Sequence, residues 1–263
     1  LTFLQGVALG ALQGITEFLP VSSSAHLILV PWLFKMQDGE VQKLTFDVFL
    51  HFGTLIAIFC VYGRRFMVMV VEGFLDMGSG KWRTTLLTKI CFATIPAALF
   101  GFAGKSFIEA HLRNPAVTIY ALVAVSLLML IAERLPRNKK DISLAFAFIV
   151  GLAQACALVP GVSRSGITIA MAMILGLKRE KAIDFSFLLA IPVILGATLH
   201  EALHFRFDAS NELLLIYGSG AASALLFGII SLTFLVRFLR SHSLDLFSYY
   251  RILLAVFLFF LLY

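Results

Sequence analysis

The chain has 263 residues, 60% of them hydrophobic and 14% charged, with a mean hydropathy of +0.96. Soluble domains carry about 45–50% apolar and about 25% charged residues, so a water-soluble globule is excluded and a polytopic membrane protein is expected. The net charge of +6 would suit nucleic acid in a soluble domain, but the basic residues fall in short connections between apolar runs, as in cytoplasmic loops, and nucleic acid is discarded as a partner.

The first apolar run, about 3 to 33, is interrupted by Gln13 to His26, QGITEFLPVSSSAH. Residues 1 to 12 lack the basic stretch that begins a cleaved secretory signal, so the run is expected to stay with the protein. In helical form Gln13 and Glu17 share a face. Pro20 has no amide hydrogen and disfavours helical geometry at Leu19, which predicts a helix end there. Beyond the break, Ser22, Ser23 and Ser24 bring hydroxyls and free amides to the start of a second helix, with His26 one turn on. That composition suits an anion such as phosphate.

Further apolar runs fall at about 46–62, 84–104, 115–132, 143–177, 182–200, 213–236 and 246–263, against the roughly 20 residues a spanning helix requires. The run at 143–177 is broken like the first, by GVSRSGIT at Gly161 to Thr168. A helical hairpin that enters, turns at depth and leaves on the same side fits both, and irregular backbone there has to be satisfied by protein or a wet cavity. Pro96 and Pro192 lie inside spans and are expected to kink them. Asp47, His51 and Thr54 share one face of the first full span, and Asp184 with Ser186 opens the fourth; packing or support of the hairpins suits them. Cys60, Cys91 and Cys156 stand singly, with no metal or redox spacing, and read as small buried hydrophobes.

Sliding the sequence by 141 residues pairs Gly10 with Gly151, Gln13 with Gln154, Val21 with Val162, Ser22 with Ser163, Ser24 with Ser165 and Ile28 with Ile169. The expected fold is therefore all-α: a single membrane domain, 1–263, with about six transmembrane helices and two re-entrant broken hairpins. Repeat 1 covers about 1–132 and repeat 2 about 143–263. Three full spans per half is an odd number, so the second half is inverted, as in transporters that bind ligand between repeats near the midplane. This topology collects thirteen basic residues on one side and five, Lys35, Lys43, Lys105, Arg113 and Arg206, on the other. The positive-inside rule makes the first side cytoplasmic, with both termini and the first hairpin facing outward. Trp32 and Trp82 fall at run ends, where interfacial aromatics belong.

A cation at bilayer depth costs about 2.5–3.5 kcal/mol on insertion scales and is matched by an anionic partner or ligand. Arg164 is such a cation, and its planar fork binds phosphate oxygens in pairs. Gly161, Ser163, Ser165, Gly166 and Thr168 around it form a hydroxyl-rich turn able to bring amides to an anion. The plain alternative is a structural ion pair with Glu17. Glu17 itself suits a general base, a water-positioning group, or a ligand to a divalent ion bridging to the substrate. Gln13 and Gln154 are hydrogen-bonding neighbours, and His26 with Ser22 or Ser23 has the spacing of a base and nucleophile. Covalent phosphoryl transfer would use Ser23 or His26; direct transfer would have Glu17 or His26 orient water while Arg164 neutralises charge.

In these residues the chain resembles the bacterial undecaprenyl-diphosphate phosphatase family, the bacitracin-resistance type. Its signatures stand here as Gln13-Gly-Ile-Thr-Glu17, Pro20-Val21-Ser22-Ser23-Ser24-Ala25-His26 and Pro160-Gly161-Val162-Ser163-Arg164-Ser165. The resemblance implies a hydrolase of the bacterial inner membrane that converts undecaprenyl diphosphate to the monophosphate and inorganic phosphate, recycling the lipid carrier of cell-wall polymers. It also implies dependence on a divalent cation, Mg2+ or Ca2+, and a site open to the periplasm. Glu17, Ser23, His26 and Arg164 match the family's catalytic residues, and Ser22, Ser163, Ser165 and Thr168 its signature polar groups. Ser24 and Gly161 join the expected phosphate-binding set, with Gln13, Asp47 and Gln154 in support. Gln13 departs from the commoner acidic form and leaves one ionisable carboxylate. A transporter or flippase for a phosphorylated polyprenyl lipid is the alternative function, and monomer or homodimer is left open.

Overall fold

A computed structural model describes residues 2–34, 44–78, 80, 82–104, 107–112, 114–138, 141–203 and 210–262. In chain order the helices are α1 (Phe3–Phe18), α2 (Ser23–Leu33), α3 (Leu44–Gly78), α4 (Leu86–Ala103), α5 (Pro115–Arg134), α6 (Leu144–Cys156), α7 (Arg164–Ile174), α8 (Arg179–Leu203), α9 (Asn211–Ser241) and α10 (Asp245–Leu262). Among the described residues there is no strand. Six helices, α3, α4, α5, α8, α9 and α10, are long and apolar enough to cross a membrane. The shorter pairs α1/α2 and α6/α7 are the two broken hairpins.

Local sequence explains where the hairpins turn. Leu19 takes extended geometry before Pro20 and closes α1, as the proline requires. Ser22 and Ser163, equivalent in the repeat, both adopt left-handed backbone, with φ of 75° and 67°. Each then caps the helix that follows: the Ser22 hydroxyl accepts from the Ala25 amide and lies near Ser24 Oγ, while the Ser163 hydroxyl accepts from the Gly166 amide and lies near Ser165 Oγ. The strained φ is held by the same local hydrogen bonds in both turns.

Each half sends its hairpin into the other. α1 packs along α9 and α6 packs along α4, and these are equivalent pairings; α9 then leans on α3 as α4 leans on α8. Small residues permit the close approach. A Cβ built on Gly10 would lie 2.2 Å from the Gly220 carbonyl oxygen, and one on its counterpart Gly151 would lie 2.3 Å from that of Ala93. Across the α1/α9 seam Ser223 and Ser231 donate to the carbonyls of Val7 and Gly14 at 2.8 and 2.7 Å. The main core lies between the halves, where Phe18 meets Phe187 edge to face, and it continues into the second half, where Phe146 meets Phe185 edge to face.

Several elements differ from the sequence reading. Arg64 and Arg65 were expected in a loop, but α3 runs on to Gly78, and α9 carries Arg237 and Arg240 on helix to Ser241. Basic residues mark where apolar character ends, whereas a helix ends only where its backbone is interrupted. Pro96 and Pro192 fall inside helices, α4 and α8, as the sequence places them inside spans. The three cysteines are exposed, not buried; in a bilayer the outer face is as apolar as the core, so hydrophobicity does not imply burial. All five basic residues expected on the outer side, together with Lys81, Lys139, Lys140 and the Trp32 side chain, lie outside the described residues.

Candidate active site

The two turns meet at the centre of the helical assembly. The Ser24 hydroxyl accepts a hydrogen bond from the Gly161 amide at 3.4 Å, which joins the turns directly. Beside it Arg164, the first residue of α7, donates through Nη2 to Glu17 Oε1 at 2.7 Å, an ion pair with side chains only 13% and 8% exposed. The other carboxylate oxygen, Oε2, accepts from the Ser23 hydroxyl at 2.9 Å and the Gln13 amide at 3.1 Å. Acid, hydroxyl and guanidinium therefore form one contiguous cluster, contributed by the end of α1, the start of α2 and the start of α7.

His26 occupies a different place from the one its spacing suggested. One ring nitrogen, Nδ1, sits 2.7 Å from the Ser22 carbonyl, a contact in which it carries the proton. The other, Nε2, then accepts from the Tyr250 hydroxyl at 2.6 Å, with the rings stacked at 5.8 Å. The hydroxyl of Ser23 is given to Glu17 rather than to the imidazole, so the expected Ser–His pair is replaced by Ser23–Glu17. The tautomer follows from the acceptor at Nδ1.

The remaining candidates divide between cavity and scaffold. Ser24 is exposed at the junction, whereas Ser22, Ser163 and Ser165 are buried, the first two capping the turns and Ser165 lying beside the Ser163 hydroxyl. Thr168 is fully buried, donates to the Arg164 carbonyl at 2.7 Å and meets Ser186 Oγ at 2.6 Å, so it braces α7 against α8 instead of facing the ligand. A Cβ built on Gly161, whose φ is 95°, would lie 2.6 Å from the Thr118 carbonyl oxygen of α5. On α3 the Asp47 carbonyl accepts from His51, and Thr54 donates to the His51 carbonyl. Asp184 receives Tyr62 and Arg65 on the far side of the core.

Gln13 and Gln154 are both buried, but differently placed. Gln13 Oε1 has no hydrogen-bond partner, although its amide nitrogen is held by Glu17; Gln154 has neither amide atom satisfied. No group of three His, Cys, Asp or Glu side chains able to hold a metal occurs among the described residues. The unsatisfied Gln13 oxygen beside the Glu17 carboxylate nevertheless supplies hard oxygen donors, which suit a divalent cation that takes its remaining ligands from substrate phosphate.

Two residues of α10 were not among the sequence candidates. The bond of Tyr250 to His26 spans 224 positions, beyond the reach of any local pattern. Arg251 stands as a charge inside an apolar run, the same signal that singles out Arg164, but no glycine and serine turn surrounds it.

The family model for bacitracin resistance protein BacA matches residues 6–257. Among curated proteins, the chain is 40% identical over 258 residues to an undecaprenyl-diphosphatase from Moorella thermoacetica, covering 97% of this chain and 96% of the relative. A protein of the same name from Thermodesulfovibrio yellowstonii is 40% identical over 261 residues, covering 98% and 96% of the two chains. One from Geobacter metallireducens is 42% identical over 260 residues, covering 95% and 94%.

Proposed function

The chain belongs to the bacitracin resistance protein BacA family, and from that membership we infer that it is an undecaprenyl-diphosphatase, a multi-pass membrane hydrolase that releases inorganic phosphate from undecaprenyl diphosphate and returns the monophosphate carrier to cell-wall synthesis. The relatives carry a phosphatase name, and the transporter alternative is not favoured.

The observation that carries the chemical reading is the Ser23–Glu17–Arg164 chain of contacts, with hydrogen bonds of 2.9 and 2.7 Å. Glu17 takes the proton of the Ser23 hydroxyl as its oxygen attacks the terminal phosphorus; the bond from that phosphorus to the bridging oxygen breaks, and the polyprenyl monophosphate leaves. The leaving phosphate takes that proton from Glu17; water then attacks the phosphoserine with Glu17 again accepting a proton, the bond from Ser23 Oγ to phosphorus breaks, Ser23 regains the proton and inorganic phosphate is freed. Arg164 uses one guanidinium nitrogen on Glu17 in the described contacts. Its other donors are available to the equatorial phosphate oxygens, where charge is spread in the transition state. His26, fixed between Ser22 and Tyr250, serves as a hydrogen-bonding wall of the site. A divalent cation, Mg2+ or Ca2+, would be held by Glu17 and Gln13 Oε1, and when bound it supplies neutralisation of the diphosphate charge.

The location we assign is the bacterial inner membrane, with repeat 2 inverted and the site open to the periplasm; the distribution of basic residues supports it. The lipid diphosphate enters sideways, its isoprenoid tail remaining in hydrocarbon.

The test is phosphate release from C55 polyprenyl diphosphate by purified protein in detergent. Turnover is expected for the unaltered chain, to fall with EDTA and to return with Mg2+ or Ca2+. Ser23→Ala is expected to lose about 100-fold or more, on the scale of removing an activated nucleophile, while Ser23→Ala turnover within a few-fold of the parent would make water the direct nucleophile. An impermeant thiol reagent reaching a Lys105→Cys variant only from the cytoplasm would reverse the orientation.

A further inference from the structure

Arg251 is completely buried, within α10, yet every acceptor it meets is neutral. Nε donates to the Ser126 hydroxyl at 3.1 Å, Nη1 to the Pro20 carbonyl at 3.4 Å, and Nη2 to the carbonyls of Gly161 and Val162 at 2.8 and 3.1 Å; Nη2 also lies 3.3 Å from those of Ala121 and Leu122. Pro20 and Gly161 are equivalent positions of the two turns, 141 residues apart. One guanidinium therefore grips both turns at corresponding peptide groups, while the Arg164–Glu17 pair joins them through side chains. The planar fork makes this possible, because its donors diverge at fixed angles and reach several carbonyls at once, which a lysine ammonium cannot reproduce.

The charge balance is the second observation. No salt bridge to Arg251 occurs among the described residues, while Arg164 is already paired with Glu17. A buried cation in a membrane protein pairs with another charge or with backbone carbonyls, and here the carbonyls include those of both turns. In a site that accepts a diphosphate, which rests on the reading above, those turns frame the ligand.

We propose that Arg251 is a positioning residue of the phosphohydrolase site, locking the main chains of the two turns into one cradle. It acts through the turns and does not touch the reacting atoms. Its loss loosens the placement of Ser23 and Arg164 relative to each other, which lowers kcat, while the tail contacts that govern lipid capture stay intact.

The experiment compares the unaltered protein with Arg251→Lys, Arg251→Met and Ser126→Ala, purified in detergent. Thermal unfolding, helicity, and kcat and KM for C55 polyprenyl diphosphate are measured for each. The expected result is a folded Arg251→Met with kcat reduced at least about 100-fold and KM within about threefold, and Arg251→Lys recovering part of that loss because it restores charge without the fork. Ser126→Ala, which removes one acceptor and keeps the guanidinium, is expected to lower kcat about threefold without shifting the melting temperature. A purely structural role would lower the melting temperature of the Arg251 variants and leave kcat per folded molecule at the parental value, which overturns the proposal. Should both Arg251 variants fail to fold, Ser126→Ala decides: parental kcat rejects the positioning role, and a fall at constant stability supports it. Absence of phosphate release from the unaltered protein would reject the phosphatase reading itself, an outcome separate from any of these.

Discussion

The two re-entrant turns share a backbone and differ in chemistry. Both place a serine at φ near 70° before a helix start, and both cap that helix with the same serine. The register of 141 then sets Glu17 against Leu158, Ser23 against Arg164 and His26 against Ile167. The first turn holds the acid, the hydroxyl and the imidazole; the second holds the guanidinium. Duplicated turns thus act as complementary halves of one site, and the glutamines show what the acid contributes. Gln13 is anchored by Glu17, whereas Gln154, facing the position where leucine replaces it, is buried with its whole amide unsatisfied.

Making the first turn resemble the second breaks the comparison most severely. Glu17→Leu removes the base and leaves Arg164 without its partner, and phosphate release is expected to drop by about 1,000-fold or more, with Arg164→Ala similar. Near-parental rates in either variant would remove both residues from the chemistry. Gln13→Leu deletes the neighbour that orients Glu17 and the oxygen available to a cation; a loss of about 10- to 100-fold is expected, with a raised requirement for divalent cation in a metal titration. Tyr250→Phe frees His26 Nε2 and is expected to cost about three- to tenfold in kcat, the scale of one neutral hydrogen bond. A change in KM alone would mean that Tyr250 contacts the lipid instead. Gln154→Leu sharpens the contrast from the other side: relief of two unsatisfied amide atoms is expected to raise stability by about 1 kcal/mol, read as a higher melting temperature in detergent, with turnover altered less than twofold.

Much of this was legible in the sequence because the membrane penalises what it cannot satisfy. Proline and serine islands inside apolar runs revealed the two broken hairpins, and lone charges at depth brought Glu17 and Arg164 forward as partners. Relations that depend on tertiary packing were not readable. The spacing of Ser23 and His26 suggested a base and nucleophile, yet the imidazole is drawn toward α10 by Tyr250, leaving Ser23 to Glu17. Thr168 shares the signature but turns to Ser186, since one helical step decides between cavity and core. Arg251 carried the right warning, a charge in an apolar run, without a nearby motif to say what it served.

Because each hairpin is seated on helices of the opposite half, neither half encloses its own core, and the connection from Leu135 to Ser143 is all that ties them covalently. A gene cut at that point should yield two polypeptides that are each unstable alone and active when co-expressed.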